Sequence, residues 1–225
     1  QDLSILDEMP PGRQEIITRI VPEKKRNDAY LWISEHIGKG RQVFVICPLV
    51  EGSDLIEAKA AIEEYEKLRT EVFPQHRLAL LHGRMKAEEK DAIMTSFKNA
   101  EVDILVSTSV VEVGIDVPNA TIILIEGADR FGLSQLHQFR GRVGRGQHQS
   151  YCFLFSDNNS EGTLQRLNAM VKYTSGFDLA EIDLSLRGPG EVYGIKQSGI
   201  PDLKMANFQN LDLLNRARQR AEELI

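Results

Sequence analysis

Between Glu15 and Phe155, short continuous apolar runs alternate with stretches whose apolar residues recur at helical spacing. The runs at 16–21, 42–47, 77–81, 102–106, 121–125 and 151–155 are rich in Val, Ile, Leu or Phe and have strand length. Between them, Asp28 precedes Tyr30, Leu31, Ile33 and Ile37 at helical spacing, with Gly38 and Gly40 as the stop. Further helices are predicted over 56–72 and 87–97. This alternation predicts an α/β domain, a mostly parallel sheet with helices on its faces. Beyond Phe155 the character changes. Leu164, Leu167, Met170 and Val171 predict one amphipathic helix, 177–184 a second and 207–225 a third. Gly188, Pro189, Gly190, Gly194 and Gly199 make 187–199 a loop with a defined path. The expected layout is therefore an α/β domain over 1–157 followed by a helical, hairpin-like appendage over 158–225, with no internal repeat.

Composition narrows the function classes. The 225 residues suit one domain plus an appendage, and 42% hydrophobic and 27% charged residues are ordinary for a soluble globular chain. No apolar run approaches the roughly 18 residues of a membrane span, so a cytoplasmic chain with no membrane partner is expected. The acids and prolines of 1–11 do not form a secretory signal, and a fragment start is expected there. Cys47 and Cys152 each lie inside an apolar run, which predicts buried reduced thiols. A formal net charge of −6 argues against indiscriminate coating of nucleic acid, so phosphate contacts must be local.

The chemistry concentrates in one stretch. No G-x-x-x-x-G-K-[ST] phosphate cradle occurs, and Gly38-Lys39 lacks the upstream glycine. Without it, the acidic ends of 5–8 and 122–126 read as a terminal segment and a buried strand, and no metal ligands are expected. Gln138-Phe-Arg-Gly141-Arg142-Val-Gly144-Arg145 crowds three arginines together. Their charges repel in water, but the planar guanidinium fork suits phosphate oxygens and the charge developing on a transferred phosphoryl group. On a continuous helix Gln138, Arg142 and Arg145 would share one face, with Arg140 pointing elsewhere. A solvated basic face at a helix end is the plainer alternative.

Gln138, Gly141, Arg142 and Arg145 match the Q-x-x-G-R-x-x-R signature of superfamily-two helicases, and 107–116 resembles a second signature of the same superfamily. The resemblance implies a RecA-like second motor lobe whose Gly114, Asp116, Gln138, Arg142 and Arg145 face the nucleotide, with Arg142 and Arg145 catalytic. It also implies DNA-backbone contacts from His82 and Gly83, in Leu80-Leu81-His82-Gly83, and from Thr108 and Ser109. At both ends the chain is similar to the RecG family. Ile5 to Arg13 resembles its lead-in to the second lobe, and Leu186 to Glu191 with Lys196 to Gly199 resembles its TRG translocation motif, in which Arg187 and Gln197 would couple ATP turnover to movement. Such a protein would use ATP and Mg2+, held mainly by a first helicase lobe of the same polypeptide. It would act on branched double-stranded DNA with an N-terminal wedge domain. The rivals are the same lobe of a transcription-repair coupling factor, a non-enzymatic DNA-binding module, and a dinucleotide or nucleotide-sugar enzyme. The last lacks a glycine loop after the first strand, where Ile20-Val21-Pro22-Glu23 stands.

Overall fold

The computed structural model describes residues 14–48, 54–108, 117–158 and 160–187. All six predicted strands form: β1 (Ile17–Val21), β2 (Gln42–Ile46), β3 (Leu78–Leu81), β4 (Ile104–Ser107), β5 (Ala120–Ile125) and β6 (Tyr151–Phe155). They make one sheet in the order β1-β6-β5-β2-β4-β3, parallel at every pairing. Interior strands β2, β4 and β5 are buried along their whole length. That explains why they read as unbroken apolar runs, since a parallel sheet covered on both faces has no solvent side.

Helices α1 (Arg26–Ile37) and α2 (Asp54–Lys67) and then α3 (Ala87–Lys98), α4 (Leu133–Arg140), α5 (Glu161–Lys172) and α6 (Gly176–Arg187) complete the described fold. Alternate strand residues divide between two cores, as the period of two requires. Val43, Val45, Ile104, Val106, Ile122, Leu124 and Phe155 pack with Tyr30, Ile33 and Ile37 of α1 and with Leu68 and Phe73. On the opposite face Phe44, Ile46, Leu105, Ile123, Ile125 and Leu154 pack with residues of α3, α4, α5 and α6. Helices therefore cover both faces. Cys47 and Cys152 are buried free thiols, and burial pushes both up, Cys152 to about 12, so both stay protonated.

Two details depart from the expectations. The helix predicted over 56–72 starts at Asp54 and widens into a π-helical turn at Leu68–Val72, where Phe73 N–H donates to the Leu68 carbonyl at 2.7 Å. α6 runs to Arg187, a residue assigned above to the loop. The described fold lies within a compact unit Gln1–Gly188, a second unit being Pro189–Ile225. Within the first, α6 lies on α4 and α5, and α5 also reaches β1. Ser160 caps α5, its hydroxyl accepting from Thr163 N–H.

Candidate nucleotide and nucleic-acid sites

The helix that carries the arginine cluster is short. α4 ends at Arg140, Gly141 N–H closing onto the His137 carbonyl at 3.0 Å and Arg142 N–H onto that of Phe139 at 2.9 Å. Gly144 then takes a φ of 80°, a left-handed conformation no helix contains. Gln138, Arg142 and Arg145 thus do not share a helix face as predicted, because the chain leaves the helix between them. Instead Arg142 and Arg145 stand on an irregular turn anchored by Val143, which is 1% exposed. Arg142 is half-buried, Arg145 and Gln138 are exposed, and among the described residues neither guanidinium has a hydrogen-bond or ion-pair partner.

Arg140 differs in kind. It is 4% exposed, and its Nη1 donates to the carbonyls of Met170 at 2.7 Å and Tyr173 at 3.0 Å while Nη2 donates to Thr174 O at 3.0 Å. Nη2 also lies 3.1 Å from His137 Nδ1. These carbonyls cluster at the C-terminal end of α5, where unsatisfied acceptors and the helix dipole favour a cation. Burial lowers the Arg140 pKa from its ordinary value, as expected for a charge without a carboxylate partner. One arginine of the cluster is thereby committed to holding α4 against the α5–α6 pair.

A second candidate site lies at the carboxyl edge of the sheet, where open parallel sheets place ligands. Leu81 of β3 pairs with Ser107 of β4, so the chain continues from these neighbours into His82 and Thr108. Thr108 N–H donates to Leu81 O at 3.3 Å, but Thr108 Oγ1, on a residue only 2% exposed, has no partner among the described residues. His82 Nδ1 is likewise buried and without a partner among the described residues. Burial lowers the His82 pKa, aided by Lys90 and Arg84, which favours the neutral ring. Gly83 is exposed, and its carbonyl accepts from Lys90 Nζ at 2.7 Å. Unsatisfied polar atoms are costly in a folded interior, and both of these stand on residues that leave the carboxyl edge of the sheet.

Sequence reasoning missed a third feature. Glu126, one residue past β5, accepts from Arg26 Nη1 at 2.8 and 3.0 Å and from the Tyr30 hydroxyl at 3.1 Å. Arg26 also stacks over Phe155 at 4.7 Å and reaches Asp157 at 3.4 Å. Burial pushes the Glu126 carboxyl above its ordinary value against the pull of Arg26. The available signal was an acid ending a buried apolar run, which needs a partner. The partner stands 100 residues away in the chain, so no local pattern names it.

Ser109, Gly114, Asp116 and Gln197 lie outside the described residues, and Arg187 is the last residue of α6. Among the described residues no group of three or more His, Cys, Asp or Glu could hold a metal ion. No helix among them is long and apolar enough to cross a membrane.

Comparison with known proteins adds two family matches. The helicase conserved C-terminal domain matches residues 25–147, and the C-terminal part of domain 3 of ATP-dependent DNA helicase RecG matches 173–225. The chain is 49% identical over 225 residues to ATP-dependent DNA helicase RecG of Synechocystis sp., and 47% identical over 224 residues to that of Thermotoga maritima. These alignments take in 100% and 99% of the chain but only 27% and 29% of the relatives' lengths. A solved structure of RecG bound to a three-way DNA junction matches with a TM-score of 0.69 and 48% identity, over 83% of this chain and 24% of that one.

Proposed function

Since the chain belongs to the helicase conserved C-terminal domain family, as a RecG-type C-terminal region, we propose that it is the second, RecA-like motor lobe of an ATP-driven translocase acting on branched double-stranded DNA. The match over 173–225 favours RecG over a transcription-repair coupling factor. In this reading 1–157 form the lobe and 158–225 the translocation appendage. A first lobe and a wedge domain of the same polypeptide complete a cytoplasmic enzyme.

The observation that carries the reading is the division of labour among the three arginines. Arg140 is consumed by backbone carbonyls, whereas the guanidinium groups of Arg142 and Arg145, on one anchored turn, have no partner among the described residues. Bound ATP would supply the phosphoanhydride whose cleavage drives movement, and its Mg2+ ligands would belong to the first lobe. Arg142 and Arg145 would then neutralise charge developing on the transferred phosphoryl group, while Gly114, Asp116 and Gln138 would orient the nucleotide. At the sheet edge, His82, Gly83, Thr108 and Ser109 would hold DNA phosphates, contacts that set register without reading sequence. A neutral His82 can donate a hydrogen bond there.

The test is kinetic and uses the whole protein. Arg142→Ala or Arg145→Ala should lower DNA-stimulated ATP hydrolysis by about a thousandfold, leaving ATP and DNA affinity within a fewfold, because an inserted arginine acts on the transition state. Loss of affinity with an unchanged rate would instead mark both as plain binding residues.

A further inference from the structure

The turn that carries Arg145 is gripped at both of its neighbours. Gly144 has a φ of 80°, and Gly146 sits so close to the turn before β5 that a Cβ on it would collide with the Pro118 carbonyl oxygen and lie 3.2 Å from its carbon. Both obstructing atoms are backbone, so neither can rotate aside. Nor can the segment holding Pro118 give way easily. Ala120 N–H closes its turn onto the Val117 carbonyl at 3.0 Å, Gln42 N–H at the start of β2 donates to Asn119 O at 2.9 Å, and Val117 is buried in the same core as Val143. The exposed Arg145 therefore projects from a two-residue strut, with its far end resting on a fixed backbone wall.

We infer that Gly146 is a positioning residue for Arg145: its missing side chain lets the turn seat against Pro118 and so sets where the guanidinium points. This rests on the reading of Arg145 as a hydrolysis residue. A methyl at Gly146 forces the 145–146 backbone outward by about 1 Å, a displacement that can cost on the order of a hundredfold when a reacting group must be aligned. Affinity should change little, because the displaced group acts in the transition state and not on bound substrate.

The experiment compares single-turnover ATP hydrolysis on forked DNA for the whole wild-type protein, Gly146→Ala, Arg145→Ala and the double variant. Gly162→Ala in α5, where a Cβ meets open space, is the control. The expected result is a roughly hundredfold slower step for Gly146→Ala with KM for ATP and fork affinity nearly unchanged and a melting temperature lower by only about 2 to 12 °C, the transition staying cooperative. The double variant should be no slower than Arg145→Ala alone, since both changes remove one interaction. Multiplying losses in the double variant overturn the inference, because Gly146 would then act independently of Arg145. So does a Gly146→Ala protein that keeps its rate, or one whose unfolding transition and DNA binding collapse together. A wild-type protein with no DNA-stimulated hydrolysis removes the underlying reading as well, whereas wild-type turnover with an indifferent Gly146→Ala removes this inference alone.

Discussion

Replacing Arg140 with alanine separates the structural arginine of the cluster from its neighbours. The side chain makes three hydrogen bonds to carbonyls at the end of α5, at 2.7, 3.0 and 3.0 Å, from a site 4% exposed. Hydrogen bonds from a charged donor contribute about 1.5 to 3 kcal/mol each, but desolvating the guanidinium costs several kcal/mol, so the three do not simply add. Removing the donor leaves Met170, Tyr173 and Thr174 carbonyls short of a partner and opens a cavity between α4 and α5. Together these argue for a net loss of about 3 to 5 kcal/mol, a large part of the roughly 5 to 15 kcal/mol that keeps a domain folded. For a domain of this size that corresponds to a fall in melting temperature of about 6 to 20 °C. Trp32, the sole tryptophan, stacks on His36 at 3.6 Å and meets Tyr151 and Phe153 edge-on, so its fluorescence reports unfolding of the sheet in the purified chain. Arg140→Lys should recover only part of the loss, because a single ammonium cannot reach the carbonyls as a planar fork does. A change within about 0.5 kcal/mol would refute the carbonyl clasp. Unaltered stability with a hydrolysis defect matching Arg145→Ala would show instead that Arg140 serves the phosphates.

Purified alone, the 225-residue chain should release phosphate from ATP with DNA and Mg2+ only at background rates, since it has no phosphate cradle; turnover near the roughly 1 to 100 per second of phosphoryl-transfer enzymes would contradict the half-site reading. Arg187→Ala or Gln197→Ala in the whole protein should leave DNA-stimulated hydrolysis within a fewfold of normal and abolish fork remodelling, measured on the same preparations; a parallel fall in both would make these residues part of the fold or the ATP site. Burial pushes the Asp103 carboxyl up, but hydrogen bonds from the Arg77 backbone N–H at 2.8 Å and guanidinium at 2.6 Å outweigh it and hold the group below the usual carboxylate value. That stabilisation is complete above the ordinary pKa of about 3.9 and is lost as pH falls below it, so urea unfolding should show an acid-side slope that Asp103→Asn reduces.

Six strands and helices α1 to α3 between them were legible in the order of residues because a parallel sheet buried on both faces demands continuous apolar runs and its covering helices a helical period. The arginine signature was legible too, since its spacing is itself the feature. What the linear pattern missed lies where distant segments meet. A reading that extended α4 through Arg145 had no way to see that Gly144 turns left-handed, that Val143 enters the core, or that Arg140 finds its acceptors 30 to 34 residues later.

Periodicity and residue type by themselves determined the fold class, the strand positions, the missing phosphate cradle and the identity of the arginine cluster, because each depends only on neighbours along the chain. Tertiary structure decided the strand order, the commitment of Arg140 to the end of α5, the burial of Glu126 against Arg26, the orphaned atoms of His82 and Thr108, and the wall that Pro118 presents to Gly146. The physical reason is that each depends on what distant segments bring beside a strand, a buried polar group or a backbone turn, and that is set only by the packing of the sheet and its two helical layers.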